Sequence, residues 1–203
     1  MPTAAPAVVI ETGGRPRVND LIMHAFIGPA GTRPGPRLNG EQVADFALRP
    51  GAFLDQAAQA TGDPFAKKKF AWVGSKTTPL TFVLTSDLAG YLAEAIDADI
   101  NPGEHIDIGW QQPVSMQDIA GIATELLGEP VSVRAIPVLP LVLAGTLAAP
   151  VMPALKDMST MFAWFATGKY VADTHRQAEV FGPPPTPEDA VARFAQSLGH
   201  STR

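Results

Sequence analysis

The chain has 203 residues, of which 46% are hydrophobic and 17% charged, enough for one packed core and a small appendage and too apolar for a disordered segment. A net charge of −5, with the basic residues thinly spread, gives no electrostatic reason to expect nucleic acid or anionic lipid as a partner. The absence of cysteine excludes disulfides and thiol chemistry and suits the cytoplasm.

The first stretch, MPTAAPAVVIETGG, lacks a basic segment followed by a long apolar core and does not read as a secretory signal. Residues 6–12 read as a buried strand, GGRPR as a turn, and 18–27 as a helix with its apolar positions on one face. Residues 28–40 are a long loop rich in glycine and proline. A short helical turn at Glu41 to Ala44 then leads into the strand FALRP.

That strand stops at Arg49-Pro50-Gly51 and is followed at once by Phe53. A turn explains the pair, because proline fixes φ and glycine accepts conformations other residues avoid. A ligand-facing edge explains it equally, because bare glycine backbone admits a cofactor closely.

Further along, 52–60 reads as helix and 70–74 as strand. LTFVLTS reads as a strand, with Ser86 as N-cap of a helix from Asp87 to Asp97. EHIDIG is a short strand after a turn at Asn101-Pro102-Gly103. Ser115 and Asp118 stand at capping-box spacing at the head of a helix that Gly128 ends. VSVRAIP is another strand, a helix is expected near 156–167, and Thr186-Pro187 start a final helix to about Leu198. Alternating strands and helices define an α/β domain. No internal repeat is present.

From Ala135 to Leu155 the chain carries no charge. Pro137, Pro140, Pro150 and Pro153 leave only 141–149 as uninterrupted helix. About nine residues at ~1.5 Å each fall far short of a ~30 Å hydrocarbon core, so no membrane span is expected. The stretch is expected to be buried core, a lid or an oligomer surface.

Signatures of catalysis are weak. The strand-turn-helix at 8–26 puts Gly13 at the first place of a dinucleotide fingerprint, but Pro16 and Asn19 fall on the next two. Proline removes a donor and asparagine adds bulk where helix and strand should meet. Neither Tyr91 nor Tyr170 is followed four residues on by lysine, so no Tyr-Lys acid pair exists. His24, His105, His175 and His200 lack metal-ligand spacing, and His105 between Glu104 and Asp107 fits ordinary strand alternation. Lys67-Lys68-Lys69 reads as a solvated loop ahead of a phosphate patch. No serine sits in a nucleophile elbow.

Taken in order, four stretches resemble one family. FALRPGAFLDQ, TFVLTSDLAGYLAEAID, GEHIDIGWQQPVSMQDIAGIATELLGEPVSV and YVADTHRQAEVFGPPPTPEDAVARF resemble successive segments of the NmrA-like proteins, atypical relatives of the short-chain dehydrogenase/reductases. The resemblance covers roughly 37–199. It implies a Rossmann-like parallel sheet that binds NAD(P), a smaller C-terminal α+β cap, and either oxidoreduction of a small molecule or nucleotide sensing. It also implies that Pro50, Gly51 and Phe53 lie beside the nicotinamide end of the cofactor. Gly51→Val is then expected to harm binding more than folding; if Gly51 merely serves the turn, the same change is expected to lower the melting temperature in proportion to any lost binding.

Only about 45 residues precede FALRP, far fewer than a full Rossmann half requires. The chain therefore resembles the C-terminal part of the family behind a shortened N-terminal half. The expected division is a residual Rossmann-like segment at 1–51 and a cap and substrate region at 52–203, packed as one domain. Weak or absent binding of NAD(P)H by this chain alone is expected. The alternative is a catalytically silent interaction module, or a truncated family member without cofactor binding, stabilised as a homo-oligomer.

Overall fold

The computed structural model describes residues 7–10, 37–38, 41–42, 45–59, 62–101, 103–148 and 153–201. The expected helix at 18–27 and the turn carrying Gly13, Pro16 and Asn19 lie outside the described residues. Two bodies of packing organise the remainder.

The first is a parallel sheet of β1 (Ala7–Ile10), β4 (Asp45–Pro50) and β8 (His105–Ile108), with β4 in the middle. In register, Val9 lies opposite Ala47, and Arg49 opposite Asp107. Period-two alternation sets the faces. Phe46, Leu48, Ile106 and Ile108 are buried on one side, while His105 is exposed and Arg49 and Asp107 half-buried on the other. Between β1 and β4, β2 (Arg37–Leu38) and β3 (Glu41–Gln42) form a small antiparallel pair. Glu41 and Gln42, expected in a helical turn at 41–44, form a strand instead, with Leu38 opposite Glu41 and Arg37 opposite Gln42.

Helix α2 (Thr85–Glu94) covers the apolar side of the sheet with Leu88, Tyr91 and Leu92. It starts before the expected Ser86 cap. The cap position is Leu84, which has no capping side chain, and the Asp55 carboxylate accepts the Thr85 N–H at 3.2–3.3 Å instead. A tertiary partner thus does the work of a local cap. Asp55 lies in α1 (Leu54–Gln59), which follows β5 (Ala52–Phe53).

The second body is larger. It holds β6 (Lys69–Val73) paired in parallel with β9 (Ser132–Ile136), β7 (Phe82–Val83) paired with β5, α3 (Met116–Leu127) and α7 (Pro187–Ser197). The strand expected across 80–86 shrinks to two residues, because Leu80 turns away to bridge Val114. Phe65, Phe70, Trp72, Phe82, Trp110, Ile119 and Phe194 form its centre. Helix α3 keeps the capping box, with Ser115 Oγ accepting the Asp118 N–H at 3.2 Å and Asp118 accepting the Ser115 N–H at 2.9 Å. Gly128 ends it in the left-handed region at φ 70°. At α7, Thr186 Oγ1 accepts the Asp189 N–H at 3.1 Å.

A hairpin of α4 (Val138–Ala148) and α5 (Pro153–Phe165) rises from this body. Pro140 fits inside the first turn of α4, where an N–H has no intrahelical partner to lose, so the helix begins before the expected position 141. Of the alternatives for this stretch, buried core does not hold on α4, where Leu139, Leu143 and Leu147 are 69%, 56% and 80% exposed. A last helix, α6 (His175–Phe181), had no signal in the sequence pattern, being only seven residues long. Among the described residues no helix is long and apolar enough to cross a membrane.

Candidate functional site

In open α/β sheets ligands are received at the carboxyl ends of the strands. Here those ends are Pro50-Gly51 after β4 and Gly109-Trp110 after β8. Thr81, just before β7, is wedged between them. A Cβ at Gly51 would lie 2.6 Å from the Thr81 carbonyl oxygen, and one at Gly109 would overlap the Thr81 methyl group. Both glycines are thus required by the close approach of a third segment. Gly51 is not among the glycines with positive φ, so the left-handed conformation that a turn might have demanded is not the reason for it.

Thr81 is 2% exposed and links β5 to the segment at Tyr170–Ala172. Its N–H donates to the Tyr170 carbonyl at 2.9 Å, its carbonyl accepts from Ala52 at 2.8 Å, and its hydroxyl accepts from the Ala172 N–H at 2.8 Å. Tyr170 closes the loop by donating its phenol to the Pro50 carbonyl at 2.6 Å. Burial raises the Tyr170 pKa, and the Asp107 carboxylate adds to the shift. A phenol held in this way is a donor strut and a poor acid–base catalyst, which needs its pKa brought toward the working pH.

On the β8 side, buried Gln177 of α6 clamps Gly109, accepting its N–H at 2.8 Å and donating to its carbonyl at 3.1 Å. Arg176 beside it donates to Glu104 at 2.5 and 3.2 Å, and the Asn101 N–H adds a third bond to that carboxylate. Chiefly through the Arg176 hydrogen bonds, the Glu104 pKa is lowered to about 2. On the polar face of the sheet, the Arg49 guanidinium meets the His105 imidazole, and Asp107 accepts the Asp173 N–H at 3.2 Å.

Above the strand ends stands a run of rings. Tyr170 touches Trp164 (4.8 Å between centroids) and Phe165 (5.1 Å); Phe165 stacks on Trp72 at 6.5 Å, and Trp72 meets Phe82. Phe82 in turn meets Trp110, whose buried Nε1 has no hydrogen-bond partner among the described residues. Trp164 and Phe165 are half-buried and offer an apolar wall. A separate open groove of about 340 Å³ lies between α2 and α7, lined by Asp87, Tyr91, Glu94 and Arg193. Its cation is already engaged by Asp87.

Of the expected cofactor contacts, Pro50 and Gly51 are buried at the end of β4, and Phe53 is half-buried against the core beneath α2. Their polar backbone groups are largely spent within the protein: the Gly51 N–H donates to Ile108 at 2.7 Å and the Pro50 carbonyl accepts from Tyr170. These residues can pack against a ring, but neither the Pro50 carbonyl nor the Gly51 amide is free to orient one. Sequence reasoning missed Thr81, Gln177 and Tyr170 as the pieces that assemble the strand ends. The available signal was a glycine after each of two strands with an isolated threonine in the apolar run between them.

No family model and no curated protein matches the chain. Its fold is similar to that of solved structures. An NADPH-dependent quinone oxidoreductase from Escherichia coli aligns at 13% identity and a TM-score of 0.56, over 75% of this chain and 55% of that one. The Citrobacter triphenylmethane reductase complexed with NADP(H) aligns at 12% and 0.56, over 75% and 53%. A nucleoside-diphosphate-sugar epimerase from Staphylococcus aureus aligns at 13% and 0.55, over 73% and 52%. The chain spans about half the length of these structures. At such identity the likeness establishes a Rossmann-type α/β fold.

Proposed function

We propose that this chain is the cap-bearing part of an NmrA-like, NAD(P)-linked oxidoreductase or nucleotide sensor that acts on a small molecule. One observation carries the reading. Thr81 and Tyr170 bind the cap onto the carboxyl end of β4, where a parallel sheet receives its ligand, and set an aromatic wall above it. The quinone oxidoreductase is NADPH-dependent and the triphenylmethane reductase was solved with NADP(H), which supports a nicotinamide cofactor. Such a cofactor supplies a hydride. The contribution of this chain is packing and exclusion of water: Pro50, Gly51 and Phe53 against the nicotinamide end, Trp164 and Phe165 on the substrate side. Tyr170 is committed to Pro50 and supplies no proton. The reading carries with it a cytoplasmic location and no nucleic-acid or membrane partner.

A second reading, a silent interaction module, is favoured by the internal satisfaction of the Pro50 carbonyl and the Gly51 amide. Calorimetric titration with NADPH and NADH separates the two. The first reading expects weak binding, with a dissociation constant of about 100 µM or more, that Phe53→Ala abolishes without unfolding the chain. No heat at millimolar cofactor returns the second. Low-micromolar binding would show an intact phosphate cradle and overturn the expectation of weak affinity.

A further inference from the structure

We propose that the open edge of β9 is a docking site for an extended acidic peptide, which adds to β6 and β9 as a third strand. In a β-strand the N–H and C=O of one residue point to the same side, and the sides alternate along the chain. The register sets Ser132, Arg134 and Ile136 opposite Lys69, Ala71 and Val73. At one end the Ser132 N–H donates to the Lys68 carbonyl at 3.1 Å; at the other the Ile136 carbonyl accepts the Gly74 N–H at 2.9 Å. Ser132, Arg134 and Ile136 therefore spend their backbone groups on β6, and Val133 and Ala135 present theirs to the open edge. Among the described residues no group bonds to the outward amides or carbonyls of those two. Val133 packs its side chain against the larger core and holds the strand in place, while Ala135 is exposed. Such an edge is a template for strand addition.

Charge selects the occupant. Phe70, Trp72 and Val133 turn to the core, so Lys69, Ala71, Arg134 and Ile136 share the outer face of the pair. Lys69 and Arg134 are exposed, and neither has a carboxylate partner among the described residues. They form a cationic spot on a chain whose net charge is −5. A strand added beside β9 runs ~4.8 Å away, which brings its side chain on that face against Arg134. An acidic residue there is favoured and a basic one opposed. The same rule disfavours a second copy of this chain: the antiparallel register that pairs both open residues sets Arg134 opposite the Arg134 of its partner. With only two open residues and one ion pair to offer, the site binds weakly and reversibly.

Fluorescence anisotropy of a labelled, capped peptide of alternating valine and glutamate, titrated with the full chain, tests this. Saturable binding with a dissociation constant of about 100 µM to 1 mM is expected, with shifts of the Val133 and Ala135 amide resonances. The matching peptide of valine and lysine should bind about ten-fold more weakly or worse, and Arg134→Glu should reverse that preference. Ala135→Pro removes an outward N–H and leaves the bonds to β6 in place, so its melt should stay near that of the wild type. Its affinity for the acidic peptide should fall by about ten-fold or more. Should Ala135→Pro misfold, the exposed Arg134→Glu variant decides by itself.

No binding of the acidic peptide at about 1 mM overturns the proposal, as do equal affinities for the two peptides or amide shifts that spare Val133 and Ala135. Full binding by a folded Ala135→Pro variant would assign the contact to charge alone and overturn strand addition. Self-association of the wild type that Ala135→Pro abolishes would give the edge to a second copy and overturn it equally.

Discussion

The core beneath the three-stranded sheet and the core around Phe82 differ in how they are built. Phe46, Leu48, Ile106 and Ile108 pack with α2 and with Val180 and Phe181 of α6, and the opposite side of the sheet bears Arg49, His105 and Asp107. The second core draws on strands, α3 and α7 together, and its rings interlock from Phe65 to Phe194 and from Trp72 to Trp110. A doubly wound sheet ordinarily gains stability from apolar packing on both faces. Among the described residues β4 and β8 have it on one, and hydrogen bonds from Tyr170 to the Pro50 carbonyl and between Gln177 and Gly109 hold their ends.

Removing a ring from the larger core should have the largest effect. Phe82 is fully buried between Trp72 and Trp110. Phe82→Ala is expected to cost about 3–5 kcal/mol and to lower the urea midpoint seen by tryptophan fluorescence. Leu48→Ala, in the smaller core, should speed amide exchange in β1, β4 and β8 while leaving α3 and α7 protected. If both variants speed exchange equally everywhere, the two cores unfold as one unit and the distinction fails.

Next in size is Gly51. Of the two expectations for Gly51→Val, the 2.6 Å approach to the Thr81 carbonyl favours loss of stability. That atom belongs to backbone and cannot swing aside. Gly51→Val should therefore destabilise by about 1–3 kcal/mol, and even Gly51→Ala should lower Tm measurably. A melt of Gly51→Ala superimposable on the wild type would show that the segment yields freely.

Gln177→Leu probes the clamp alone. It leaves the Gly109 N–H and carbonyl without their buried partner, at a cost of about 1–3 kcal/mol. Chemical denaturation reads the change, and exchange of the Gly109 amide should rise before that of α3. Equal protection of Gly109 in variant and wild type would remove Gln177 from the support.

The smallest effect is a pH dependence. The Glu104 pKa lies near 2 in the folded chain, below the ordinary 4.5, because Arg176 favours the carboxylate. A depressed folded-state value means that the stabilisation is complete above about pH 4.5 and is lost as pH falls toward 2. Glu104→Gln should remove that part of the acid slope and cost on the order of 1–3 °C in Tm at pH 7. Melts of variant and wild type that differ equally at pH 3 and pH 7 would assign the effect to packing.

Elements whose determinants lie within a few residues were legible in the residues themselves. The capping box at Ser115, the Thr186-Pro187 start and the end of FALRP were all readable from local chemistry. Readings failed where a distant group supplied the local need. Ser86 looked like a cap, but Asp55, thirty residues away, takes the Thr85 amide. Glu41 to Ala44 resembled a helical turn, but Glu41 found a strand partner in Leu38.

The candidate site shows the same division. The α/β class followed from the order of strands and helices along the chain. Why Gly51 is glycine did not follow, because the reason is a backbone atom at position 81. The exposure of Leu139, Leu143 and Leu147 was equally hidden, since an uncharged run looks the same in a core and on a surface. Local propensity and periodicity act over a few residues and are written in the sequence. Close approach, capping from afar and burial depend on which segments meet, and only the tertiary structure decides that.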